Sequence, residues 1–477
     1  MATPGCQTGT AGVPPAFVVF PMQAGCLRYN GLHAMVDNAI THDVIILGAG
    51  AAGMMAAISC GEEAIACGQA VPQIAILEKN PQPGIKVLVC GGGRCNLTNA
   101  GDIDFLITQF GRNGRFLTPA LRTLDNTALR NWFARRDVST HEEHDGKIYP
   151  DSNKASSVVN AMVQRMQELA VHIQPACTAQ TVTWNLSNKV FHVTTQTGQI
   201  FHSRFLLIAV GGQSYTRMGT TGDGYAFAQA LGHAIITPRP AIVPLLCKQA
   251  WISELKGLAV EDVTIRIEAP GPLPRLTTGK PQPSTNDMMF THFGLSGPAV
   301  LNISEIVAEL LEKFPEITLR ADFLRHVSHE ELGREFRQWH TAEGRKLVRS
   351  KLAELIPHRL ADMFCRLAEI DSQQVCANLT GRQMQELVEH LKATAFTIYA
   401  TRGFKEAMVT AGGVRLDEIN PNTMQSRINP QLFLAGEVLD LTGPSGGYNL
   451  QLAFSTGYLA GLSIGRLLNA PAQISLH

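Results

Sequence analysis

The chain has 477 residues, 45% of them apolar, with 40 Lys and Arg balanced by 40 Asp and Glu for a formal net charge of zero. That length predicts two or three domains with sizeable cores, and the neutral balance excludes a global field drawing the chain to nucleic acid or an anionic membrane, although local patches stay open. The ten cysteines are dispersed with no Cys-x-x-Cys pair, which fits reduced thiols in a cytoplasmic enzyme better than a disulfide scaffold or zinc site.

In chain order, residues 1–35 carry Arg28 as their only charged side chain and several Gly and Pro. Residues 1–40 are expected to form a disordered leader. The apolar run Ala16–Phe20 is too short for a signal peptide, and no stretch approaches the roughly 20 apolar residues of a membrane span. Asp43–Ile58 then reads as a buried parallel strand, a tight turn and a helix, with the spacing Gly48-x-Gly50-x-x-Gly53. Gly48 turns the chain off the strand, Gly50 lets backbone approach a pyrophosphate, and Gly53 lets helix and strand pack closely. The helix start, Ala51 and Ala52, offers free amides to that pyrophosphate. Glu78 closes the next apolar run, where its carboxylate can take both hydroxyls of a ribose, and Lys79 follows it.

Pro81–Asn99 contains Lys86 and the run Gly91-Gly92-Gly93-Arg94-Cys95-Asn96, which suits ligand-facing backbone better than core; a plain surface turn is the alternative. Helices are expected at about 117–136 and 154–170 around a turn-rich 141–152, then alternating strands to 207. A third glycine-rich junction, Gly211-Gly212-Gln-Ser214, leads to Gly222-Asp-Gly224 at a helix start. Residues 236–304 have strand-like periodicity with frequent Pro. Residues 305–395 read as a helical subdomain with a return to the inserted domain, and carry a basic run at 334–351. The last segment returns to a strand at 431–434, then Ala435-Gly436-Glu437, the loop Gly443–Asn449 with Gly446 and Gly447, and a long helix from about 450 to 468. The middle of the chain thus looks inserted into one nucleotide-binding domain, expected at 41–235 and 396–477.

Four glycine-rich turns suit a ligand longer than NAD. A small-Gly-acid triplet before a final helix is the arrangement by which two-dinucleotide flavoproteins hold the ribitol and the pyrimidine edge of FAD, where a positive helix end stabilises reduced flavin. Glu437 is expected to hold the ribitol, and Tyr448 and Asn449 to line the flavin edge.

Taken together, Gly48–Gly53, Gly91–Asn96 with Thr98-Asn99, Gly211–Ser214, Phe290–Pro298, Ala411–Val414 and Leu434–Glu437 with Gly443–Asn449 resemble the BaiN/RdsA (YhiN-like) family, also described as aminoacetone-oxidase-family FAD-binding enzymes, over nearly all of Asp43–Leu468. The resemblance implies an α/β fold in which a Rossmann-type FAD domain is interrupted by a β-barrel-like domain with a helical subdomain. It also implies FAD as cofactor, NAD(P)H as a transient reductant, and reduction of a uridine in large-subunit rRNA to dihydrouridine. An oxidase or reductase of a small amine or enone, and a non-catalytic flavin-bound ribosome-associated protein, remain alternatives.

Reducing a polarised C=C needs hydride at one carbon and a proton at its neighbour. Cys95, beside Arg94, and His292, on the turn before Gly294, are the candidate acids; each also has a purely structural reading, in packing or in backbone hydrogen bonding. Ser296 lacks nucleophile-elbow spacing, and His141-Glu-Glu-His144 is not a zinc motif, so no metal is expected. No second fingerprint for NAD(P)H follows, which predicts a reductant that visits the flavin and leaves, with ping-pong kinetics. The basic run at 334–351 could meet rRNA phosphates or be a solvated helix face.

Overall fold

The computed structural model describes residues 40–470 except 144, 275 and 277–279; residues 1–39 of the expected leader and His144 lie outside these, and Ile40 already opens the first strand. Five parallel strands form the centre in the order His172–Gln174, Ile74–Leu77, Ile40–Leu47, Ile200–Ile208 and Leu432–Leu434. Val44, Ile45 and Ile46 are fully buried, as expected of a strand covered on both faces. The long strand Ile200–Ile208 divides its outer edge. Residues 200–203 pair antiparallel with Val190–Thr195, and 206–208 pair parallel with Leu432–Leu434.

The helix Ala51–Ala66 is buried almost all round because it lies between this sheet and the last helix, Tyr448–Asn469. The two helices run parallel with backbones in contact. A Cβ on Gly457 would fall 2.2 Å from the Ala52 carbonyl oxygen, and one on Gly461 would fall 2.0 Å from that of Ala56.

Between these parts a closed six-stranded barrel is formed by Leu245–Cys247, Gly294–Ser296, Ser284–Phe290, Ala259–Glu268, Ile317–Asp322 and Thr394–Thr401. Trp251, Phe290 and Phe396 pack together in its core. Four helices, His329–Ala342, Val348–Leu352, His358–Leu367 and Gly381–Ala393, lie between its last two strands. The antiparallel pair Ile235–Ala241 and Val409–Val414 links barrel to nucleotide-binding domain. The barrel's final strands, Ile317–Asp322 and Thr394–Thr401, lie on either side of these helices. The segment expected to be turns at 141–152 instead contributes Thr140–Glu142 and Lys147–Pro150 to a three-stranded sheet with Thr98–Asn99.

Candidate functional site

A cavity of about 430 Å³ opens at the carboxyl ends of the parallel strands, lined by Leu47–Ala52, Leu77–Asn80, Ala209–Gly211 and Gly436–Glu437. Ligands of open α/β sheets bind at this edge. Two helix starts converge on it. Gly50 begins the first helix and Gly447 the last, neither with a side-chain cap nor with an acid in its first turn, so both present unpaired amides and a positive dipole end to the cavity. Ala52 is the second residue of its helix and faces Gly457, the tenth of its own. The last helix therefore starts about 12 Å beyond the first at 1.5 Å per residue. The walls of this elongated space fit a dinucleotide: Gly50 and Gly92 line it, and a Cβ on either would enter open space.

At one end Glu78 is anchored by the first glycine turn and by its own, accepting from the Ala49 N–H at 2.7 Å and the Asn80 N–H at 2.8 Å. Lys79 donates to Asp223 and Thr221, both at 2.6 Å, which clamps the loop after Gly211 over this end. In the middle Lys86 donates to Glu437 at 2.5 Å and to Ser214 at 2.7 Å, while Ser214 and the Thr410 N–H donate to the other Glu437 oxygen. Both partners of this ion pair are mostly buried.

At the far end Asn96, with its amide oriented to satisfy both neighbours, donates to the Thr98 carbonyl and accepts from the Gly447 N–H, each at 3.0 Å. Asn449 accepts from the Gly443 N–H and donates to the Gly443 carbonyl, so its side chain fixes the loop Gly443–Gly447 and its backbone faces the cavity. Ile242, Leu301, Met408 and Leu441 give this end apolar walls.

Of the residues singled out from sequence, Gly48, Gly50, Ala51, Ala52, Glu78, Lys79, Lys86, Gly92, Asn96, Gly211, Gly436, Glu437, Gly446, Gly447 and Asn449 line the cavity. Gly53 and Gly212 sit behind it. A Cβ on Gly53 would fall 1.9 Å from the Gly48 carbonyl, and one on Gly212 would fall 2.5 Å from Thr410 Oγ1. Gly93 lies off the wall, and Arg94 turns away to pair with Glu143 at 2.7 Å and stack 4.0 Å over the Tyr149 ring. Tyr448 points from the helix start toward Phe105, with ring centroids 6.5 Å apart.

The two candidate acids are not brought to the cavity. Cys95 is fully buried in the nucleotide-domain core, and that burial pushes its thiol far above the ordinary range. The cysteines on the wall are Cys90, whose thiol burial also raises against the pull of Lys86, and Cys177, raised by burial as well. His292 is exposed at the barrel end, edge-on to Phe293 at 4.9 Å. It helps Arg402 and Arg217 hold the Glu406 carboxyl below its usual range. The sequence reading missed Thr410 and Tyr215, which nothing local marks. It also missed the Gly457, Gly461 and Gly465 spacing, which a search for glycines four apart would have found. Among the described residues no cluster of His, Cys, Asp or Glu could hold a metal ion, and no helix is long and apolar enough to cross a membrane.

Residues 42–463 match the model described as the HI0933-like protein Rossmann domain. The chain is 32% identical to a 3-dehydro-bile acid delta(4,6)-reductase of Clostridium scindens, over 87% of this chain and 97% of that one. It is 30% identical to the ribosomal RNA dihydrouridine synthase of Escherichia coli K12, over 87% of this chain and 96% of that one. The enzyme of the same name from Haemophilus influenzae is 29% identical, over 88% and 98%. With its Rossmann-type sheet, glycine turns and dinucleotide-shaped cavity, this chain belongs to the HI0933-like family of FAD-dependent oxidoreductases.

Proposed function

We propose that the protein reduces a polarised C=C bond at the expense of NAD(P)H, with a uridine of large-subunit rRNA as its substrate. FAD supplies hydride chemistry at the flavin N5. The chain's own residues bind and orient it: Glu78 and Lys79 at the adenosine end, Gly48–Ala52 at the pyrophosphate, the Lys86–Glu437 pair beside the ribityl chain, and the amides of Tyr448–Leu450 at the pyrimidine edge. The single observation that carries this reading is the pair of uncapped helix starts, about 12 Å apart along the helix direction, facing one cavity. A positive helix end at the flavin favours its reduced form, and the apolar walls beside it exclude water. NAD(P)H has no second glycine fingerprint of its own and visits the face that the substrate later uses.

The choice of rRNA is supported by charge at the mouth. Exposed Arg217 and His292 lie beside Glu406, which pairs with Arg402, with exposed Lys405 adjacent in sequence, next to the wall residues Tyr215, Met218 and Met408, and the excess of cations at this rim suits phosphates. The run at 334–351 offers less than its sequence suggests, because Lys346 and Lys351 are paired with Glu343, and Lys351 also with Glu354. A second reading, reduction of a small enone, is favoured by the apolar far end of the cavity and by the bile acid reductase among the relatives.

The test is direct. Unmodified large-subunit rRNA incubated with protein and NADPH should gain two hydrogens at a uridine by mass analysis, with binding that falls steeply in salt. An unchanged rRNA mass together with reduction of a 3-oxo-4-ene bile acid would select the second reading. A bound flavin that neither NADH nor NADPH reduces would leave only a non-catalytic role.

A further inference from the structure

We propose that Tyr215 donates the proton that completes reduction of the substrate double bond, a role that rests on the reductase reading above. Tyr215 lines the cavity where the loop after Gly211 meets the segment returning from the barrel. Its N–H is shared between the carbonyls of Phe404 at 3.0 Å and Ala407 at 3.2 Å, and its own carbonyl accepts from the Met218 N–H at 2.7 Å. These bonds hold it at φ 52°, ψ 53°, a left-handed conformation costing an L residue about 1–2 kcal/mol. Glycine would enter this turn at less cost. What tyrosine adds is a phenol on the wall, and strain held in place by surrounding structure is a mark of functional sites.

Most other acidic protons on the wall are committed; Cys177 also lines it, with a thiol raised by burial. Lys79 and Lys86 are paired with Asp223 and Glu437, and Lys147 with Asp145. The Cys90 thiol donates to the Lys86 carbonyl at 3.1 Å. Tyr149 is buried beneath the Arg94 guanidinium. The Tyr215 hydroxyl makes no hydrogen bond among the described residues, and burial, aided by Cys90, keeps its phenol protonated at neutral pH.

In the reaction, hydride from reduced flavin bonds to the electron-poor carbon and the π pair moves to the adjacent carbon. There the phenolic O–H breaks as a C–H bond forms, and water returns a proton to the phenolate. The electrons come from NAD(P)H through the flavin, so no further oxidant or reductant enters.

The test uses FAD-loaded Tyr215→Phe, which removes only the hydroxyl. The protein is reduced anaerobically with NADPH and mixed with unmodified large-subunit rRNA or a 3-oxo-4-ene bile acid while flavin absorbance is followed. FAD content and the rate of flavin reduction should match wild type within about twofold, while reoxidation by the substrate slows by about 10²-fold or more, the scale of general acid catalysis. Wild-type reoxidation should also show a solvent deuterium isotope effect that the variant loses. Reoxidation of the variant at the wild-type rate would overturn the assignment, as would equal slowing of both half-reactions, which marks a cavity-shaping role. Reduced wild type that neither probe reoxidises would instead remove the reductase reading, and the acid role with it.

Discussion

Gly461 of the last helix is seated directly against Ala56 of the first, so closely that a Cβ would lie 2.0 Å from the Ala56 carbonyl oxygen. Alanine in a helix interior is ordinarily favoured over glycine by about 1 kcal/mol. Here a backbone carbonyl cannot move aside as a flexible side chain could, so the clash wins. Gly461→Ala should destabilise the protein by roughly 1–3 kcal/mol, the usual cost of overpacking. By shifting the last helix it should also lower FAD retention. Thermal melts and the ratio of flavin to protein absorbance check both, and an unchanged or raised melting temperature would contradict the close approach.

The Lys86–Glu437 pair joins segments 351 residues apart and is shielded from solvent. Removing one member strands the charge of the other: Glu437→Gln leaves the ammonium without a counter-charge, and Lys86→Met leaves a carboxylate with Ser214 and one amide. Each single change should cost roughly 1–3 kcal/mol, and the double variant should cost less than their sum. A double-mutant cycle in urea measures the coupling, and strict additivity would show that the pair does not act as one unit.

The turn at Gly48–Gly53 and the acid at Glu78 were legible because each step there has a local steric or hydrogen-bonding reason. What was not legible depends on distance or direction. Gly91, Gly92 and Gly93 all adopt positive φ, and Cys95 follows at φ 64°, so the chain reverses and sends Arg94 to Glu143 and Cys95 into the core. Adjacency in sequence had placed both at the ligand. Thr410, which donates to Glu437, comes from the strand leaving the barrel, and no local pattern links the two. The barrel's closing strand, Thr394–Thr401, follows a helical insertion that hides its partnership with Leu245–Cys247. Tyr448 begins a helix whose backbone, but not whose ring, faces the cavity.

Cys95 sits in the core with its thiol raised by burial, so it should resist alkylation in the native protein while exposed Cys67 reacts. Cys95→Ala keeps the backbone conformation and removes one buried sulfur. Flavin reduction and substrate reoxidation should stay within about threefold of wild type, while stability falls by about 1 kcal/mol, the scale of one buried group. Peptide mapping after iodoacetamide and half-reaction kinetics test this. Loss of substrate reoxidation alone would return Cys95 to the reacting centre.

Glu305 stands where the barrel meets the nucleotide-binding domain, and burial, reinforced by Asp440 and Glu309 and opposed by Arg239 and Arg112, raises its carboxyl to about 7. Burial raises Asp440 as well, with Arg112 and Asn113 opposing. A carboxyl whose folded pKa exceeds its unfolded value binds more protons in the folded state, so stability must fall as pH rises between the two values. For Glu305 that window runs from its ordinary 4.5 to about 7, and the loss is complete above it. Glu305→Gln removes the charge while keeping the shape. It should therefore be more stable than wild type at pH 8, by about 2 kcal/mol at 1.36 kcal/mol per pKa unit with partial solvent screening, and nearly equal at pH 5. Melting curves of both proteins from pH 5 to 8 decide the matter: a constant difference across that range would show that Glu305 does not titrate there.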